Sequence, residues 1–118
     1  MGSITSEIIK QVYPLAKDLH KKKMQAVEKL HTDAGMNRNS ANFYVQAVLA
    51  MMEGRRYEKR TSEVATRYFL EMIYAEFGRD ALVTALSSLK KHVDYCEEDE
   101  KTTLYGLRKI HQEFLKKL

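Results

Sequence analysis

The stretch "SANFYVQAVLAMM", residues 40–52, runs for thirteen residues without one charged side chain. Spanning a bilayer takes about 20 apolar residues in a helix, so this run is too short for a membrane. Its apolar side chains fall all round a helical wheel, which marks a helix buried on most sides rather than an amphipathic surface helix. It reads as the central post of a bundle, a helix over about residues 41–53. Asn39 or Ser40 is its expected N-cap, and Gly54 its end.

Working outward, apolar residues recur at steps of three and four, and no segment alternates as a strand does. On the N-terminal side, Ile4, Ile8, Val12, Leu15, Leu19, Val27 and Leu30 trace one stripe to about residue 33, where Gly35 is the natural stop. Pro14 predicts a kink or a fresh start in that long first helix, because a proline removes a backbone donor and crowds the preceding turn. Met1, Gly2 and Ser3 have the look of an expression scar. On the C-terminal side, Thr61 or Ser62 caps a third helix whose apolar face includes Val64, Ala65, Tyr68, Phe69, Met72, Ile73 and Phe77, ending at Gly78. Asp80 suits the N-cap of a fourth, with Leu82, Leu86, Leu89 and Val93 inward. The acidic "EEDE", residues 97–100, opposes a helix dipole at its C-terminus and predicts an exposed connection instead. Thr102 or Thr103 then caps a fifth helix that turns Leu104, Leu107, Ile110, Phe114 and Leu118 inward. The expectation is an all-α, compact bundle of about five helices forming a single domain over residues 1–118.

The composition fits that class: 118 residues, 44% hydrophobic, 31% charged, with one proline and five glycines. Cys96 is the only cysteine, so neither an internal disulfide nor a CxxC site can form. With Glu7 and Lys10 breaking the first apolar residues, no signal peptide is read, and the expected location is cytoplasmic. The net charge of +4 is unevenly spread. Residues 1–39 carry seven basic side chains against four acidic, residues 64–100 four against eight, and residues 101–118 five against one. Separate basic and acidic faces are implied.

The segment "EGRRYEKRT", residues 53–61, is the strongest candidate site. Arg55, Arg56, Lys59 and Arg60 are of the type that neutralises phosphates, and Tyr57 would stack on a base or pack under the arginines. The plain alternative is a solvated interhelical loop with Glu58 and Glu63 pairing locally. Its length excludes a standard helix-turn-helix, whose turn is only three or four residues. Lys21, Lys22 and Lys23, with Lys90 and Lys91, could extend a basic surface. Asn37, Arg38 and Asn39 stand at a helix start, where free N–H groups and amide side chains could meet a phosphate or an adenine edge. His20, His31, His92 and His111 have no metal-ligand spacing, and no metal or cofactor is expected. His92 and Cys96, four apart, could touch, but a structural cysteine beside a surface histidine is the simpler reading. Enzyme activity is not expected.

The segments "SANFYVQAVLAMMEGRRYEKRT", "ATRYFLEMIYAEFG" and "ALSSLKKHVDY" together resemble a small helical region of bacterial HNH-type nucleases and other restriction-like defence proteins. The resemblance covers roughly residues 36–96 and rests on Ser40-Ala41, Gly54, Tyr57, Arg60-Thr61, Tyr68, Phe69-Leu70, Gly78 and His92. The nuclease signature of histidines and asparagine is absent, so the resemblance implies an accessory or recognition module. The expected function is a small DNA-binding or DNA-sensing module of a restriction or defence system, contacting mainly the phosphate backbone. The alternative is a protein–protein interaction module, either an oligomerisation domain or a small regulator of a nucleic-acid enzyme.

Overall fold

The computed structural model describes residues 5–18 and 23–118, and among them every regular element is a helix. There are six: α1 (Ser6–Asp18), α2 (Lys23–Asp33), α3 (Arg38–Glu53), α4 (Glu63–Phe77), α5 (Arg79–Glu100) and α6 (Tyr105–Leu115). The chain falls into two units, Met1–Leu49 and Ala50–Leu118.

In the first unit, Thr5 opens α1 by accepting the Ile8 N–H on its hydroxyl at 3.3 Å. The helix buries Ile9, Val12, Tyr13 and Ala16 and packs against α2, which buries Ala26, Val27 and Leu30. Of the kink or fresh start expected at Pro14, the fresh start does not occur: α1 continues through it to Asp18. Pro14 and Lys10 are both exposed, so the Lys10 carbonyl that loses its donor faces the solvent side, where water replaces it at little cost. Among the described residues the stripe expected as one long first helix is held by two elements, α1 and α2, so six are seen where about five were expected. Ile4, Leu19, Lys21 and Lys22, and the side chain of Lys23, lie outside the described residues. Gly35, at φ 70°, ends α2 as expected.

Helix α3 begins at Arg38, three residues earlier than expected, because the cap is Asn37 rather than Asn39 or Ser40. The Asn37 Oδ1 accepts the N–H groups of Asn39 at 2.9 Å and Ser40 at 3.3 Å. Consecutive buried residues from Ala47 to Met51 confirm that the uncharged helix is enclosed on nearly all sides.

In the second unit, α4, α5 and α6 pack on one another. Phe69, Leu70, Ile73, Leu82, Leu89, Ile110 and Phe114 form its core. Ser62 caps α4 as expected, accepting the Ala65 N–H at 3.1 Å. Val64 and Phe77 are exposed rather than inward, since the buried stripe of α4 centres on Ala65, Thr66, Phe69, Leu70 and Ile73. Leu118 is also largely exposed. Asp80 sits in the first turn of α5 and is not its cap; Gly78 precedes the helix with no side-chain cap.

The acidic run is the larger correction. Residues 97–100 form the last turn of α5, which ends at Lys101 in a left-handed conformation, φ 53°. Their charge is met from outside the helix. The Arg108 guanidinium grips Glu97 through two nitrogens, and Arg60 reaches Glu100 at 3.1 Å. Glu97 also accepts the Leu104 N–H at 2.7 Å, so this carboxylate takes the capping role expected of Thr102 or Thr103.

A candidate site where the basic loop lies along helix α5

Gly54 turns the chain out of α3 with φ 73°, a conformation glycine adopts without penalty. A Cβ there would stand 3.2 Å from the Thr84 methyl, so the backbone approaches α5 closely at this point. From here residues 54–61 run beside α5, and their carbonyls meet a row of donors on it. Lys91 Nζ donates to the Gly54 carbonyl at 2.8 Å, and Ser88 Oγ to that of Arg55 at 2.6 Å. His92 Nδ1–H donates to the Tyr57 carbonyl at 2.5 Å, and the Cys96 thiol to that of Glu58 at 3.5 Å. Ser88, His92 and Cys96 are four residues apart and therefore share one helix face. Glu100, one step further, holds Arg60. The row gives carbonyls of an irregular segment partners that no helix of their own supplies, at the buried Tyr57 carbonyl above all.

Tyr57 is the apolar anchor of the loop. It is 4% exposed, and its ring lies flat on the His92 imidazole, centroids 3.8 Å apart and planes 10° from parallel. A ring so placed cannot stack on a nucleic-acid base, so the expected base-stacking role for Tyr57 is not available in this arrangement. Burial raises its phenol far above the ordinary value, the Cys96 thiol adding to the effect and Thr66 opposing it. The Tyr57 hydroxyl is buried without a well-formed hydrogen bond.

His92 is 1% exposed, not the surface histidine the sequence suggested. Burial lowers its basicity, the Tyr57 carbonyl partly offsets this, Arg60 lowers it further and Glu100 raises it. Cys96 lies 3.6 Å from His92 Nδ1, but that nitrogen's proton is committed to Tyr57. Burial pushes the Cys96 thiol up, with Glu100 adding to the rise. An activated thiol–imidazole pair needs the opposite, a depressed thiol beside a free base.

The loop's arginines are exposed, and each meets a carboxylate of the chain. Arg55 pairs with Glu53, Arg56 with Glu58 at 3.0 Å and Arg60 with Glu100 at 3.1 Å. The Arg56 guanidinium also lies over the Tyr95 ring, 4.3 Å from its centroid. Lys59 is exposed. Lys90 is held by Asp94 at 2.7 Å, while Lys91 donates to the Gly54 carbonyl just past α3. The loop's arginines thus lie along α5, with Lys91 at the Gly54 end of the row and Arg60 at the Glu100 end, on a surface of mixed sign. Asn37, Arg38 and Asn39 belong to the first unit, where Asn37 caps α3 and Arg38 pairs with Glu28 at 2.9 Å.

This unit carries a second surface feature. Where α4 and α6 begin, Arg60, Glu63, Thr103 and Gly106 line a shallow cleft, with the Glu63 carboxylate against Gly106. Beside it Tyr105 is 77% exposed and Val64 60%. Periodicity placed Val64 inward, whereas the fold leaves it exposed in the first turn of α4. Ser88 was missed too, although its spacing from His92 and Cys96 is a readable pattern of small polar groups on one face.

Among the described residues no three His, Cys, Asp or Glu side chains come together as a metal site, and no helix is long and apolar enough to cross a membrane. No family model matches the chain, and comparison with curated proteins and with solved structures gives no match.

Proposed function

We propose that the chain is a protein-interaction module, with oligomerisation the form to test first. The observation that supports it most is Tyr105, exposed on the cleft between the starts of α4 and α6, with Val64 also exposed in the first turn of α4. Tyrosine beside apolar surface and arginine is the composition enriched where proteins meet. The basic loop points the same way, since its backbone is bound to α5 and its arginines face carboxylates of the chain. Sedimentation velocity over a wide concentration range tests the reading. Reversible association weakened by Tyr105→Ser and Val64→Ser supports it, and a concentration-independent monomer removes the oligomerisation form.

The second reading, an accessory DNA-binding module of a restriction or defence system, keeps one favourable observation. Arg55, Arg56 and Arg60 remain about half exposed, 53%, 49% and 48%. Exposed ion pairs contribute only about 0–1 kcal/mol, so phosphates could compete for these guanidinium groups. Titration of labelled duplex DNA at low salt discriminates the two. Binding with a steep salt dependence, lost in Arg55→Ala/Arg56→Ala, supports the DNA module, and absence of binding at low salt supports the interaction module.

A further inference from the structure

We propose that His92 is an acid-operated latch for the loop 54–61: its neutral ring holds the loop against α5, and protonation at Nε2 releases it. This goes beyond the interaction reading and stands whether or not that reading survives. A neutral imidazole has one donor and one acceptor. In His92 the donor is Nδ1–H, spent on the Tyr57 carbonyl at 2.5 Å, which leaves Nε2 as a bare lone pair. The nearest polar partner of Nε2 is the Cys96 sulfur at 3.8 Å, a weak acceptor for a new N–H. A proton gained there would create a cation in a buried site with no carboxylate in contact.

The surrounding charges do not rescue it. From the loop side, Arg60 repels a charged ring and the Tyr57 phenol stays neutral; from α5, Glu100 attracts it and the Cys96 thiol stays neutral. Arg60 and Glu100 are paired with each other at 3.1 Å, so their effects at His92 largely cancel. On the α4 side, the group near Tyr57 is the uncharged Thr66. The cheapest relief is to let water reach Nε2, which requires the flat Tyr57–His92 stack to part. The Nδ1–H bond to the Tyr57 carbonyl, which favours the charged ring, is the one contact that opposes release.

The opening has natural limits. The Arg55 N–H bonds to Ala50 at 2.9 Å on one side, and Ser62 caps α4 at 3.1 Å on the other. Between these anchors the segment can detach while the helices stay packed, a local opening rather than global unfolding. Release would uncover Tyr57 and free Arg60 from Glu100, changing the surface the loop presents.

Hydrogen–deuterium exchange of the full chain, corrected for the intrinsic pH dependence of exchange, tests this with peptides covering residues 54–61. Between about pH 7 and about pH 5, protection of the loop should fall at least about tenfold while α4 and α5 keep theirs. In His92→Gln, whose side-chain amide can still donate to Tyr57 but takes up no proton, the loop should show no such fall. A wild-type loop with constant protection, or a chain losing protection everywhere at the same pH, overturns the latch. Should His92→Gln fail to fold, an NMR titration of the wild type decides. Loop amide shifts must follow the His92 ring with one midpoint, and separate midpoints overturn the proposal.

Discussion

Replacing Tyr57 separates a structural anchor from an exposed recognition residue. The ring is 4% exposed and stacked on His92, so Tyr57→Ala removes a buried aromatic and leaves a cavity against the imidazole. Truncations of this kind cost about 3–5 kcal/mol. About 0.5–1.5 kcal/mol of that reflects the stacked pair. Tyr57→Phe isolates the hydroxyl, which is buried without a well-formed hydrogen bond. Deleting it should be neutral or stabilise by up to about 1 kcal/mol, since a buried, poorly satisfied polar group carries a desolvation cost. Urea denaturation followed by far-UV circular dichroism measures both, with equal m-values as the check that one transition is compared. A Tyr57→Ala cost below about 0.5 kcal/mol, the range of ordinary surface substitutions, would refute the anchor. So would a Tyr57→Phe loss as large as that of Ala.

Three further outcomes follow from the same geometry. Ser88→Ala should destabilise by about 0.5–1.5 kcal/mol in thermal denaturation, because the Arg55 carbonyl loses its 2.6 Å donor in a part-buried bond. Gly54→Ala should cost about 1–2 kcal/mol for its positive φ, and more than Gly35→Ala, since only at Gly54 does the new Cβ meet a neighbour, the Thr84 methyl at 3.2 Å. The Arg108 guanidinium, then the Leu104 N–H, holds the Glu97 carboxyl down at about 2. A depressed carboxyl contributes stability that is present above its ordinary value and lost as pH falls toward 2. Carbon-detected NMR titration should find that value, and Arg108→Ala should move it back up toward the usual range.

The sequence showed the helical class, because periodicity and an uncharged thirteen-residue run leave little choice. It also located Gly35, Gly54, Ser62 and Gly78, whose local chemistry ends or begins helices almost regardless of context. It misplaced the ends settled by distant partners. "EEDE" stays helical because Arg60 and Arg108 come from elsewhere in the chain, 40 and 11 residues away from the acids they meet. Pro14 is tolerated because it falls on an exposed side, which a stripe alone does not reveal. In the basic loop the sequence identified the charges but not their company. Glu58, two residues from Arg56, was legible as a local partner, whereas Glu53 rather than the expected Glu63 meets Arg55. That α5 would bind the carbonyls of Arg55, Tyr57 and Glu58 was not, since the backbone of a loop carries no mark of who will accept or donate to it.

The account's central claim is that the basic loop is bound to α5 through His92. Long-range nitrogen–proton NMR of the histidine rings at neutral pH tests it most directly, because the bond fixes one tautomer. The account predicts His92 protonated at Nδ1, with that proton exchanging slowly with water. A ring protonated at Nε2, or a mixture of tautomers exchanging freely with solvent, would contradict it.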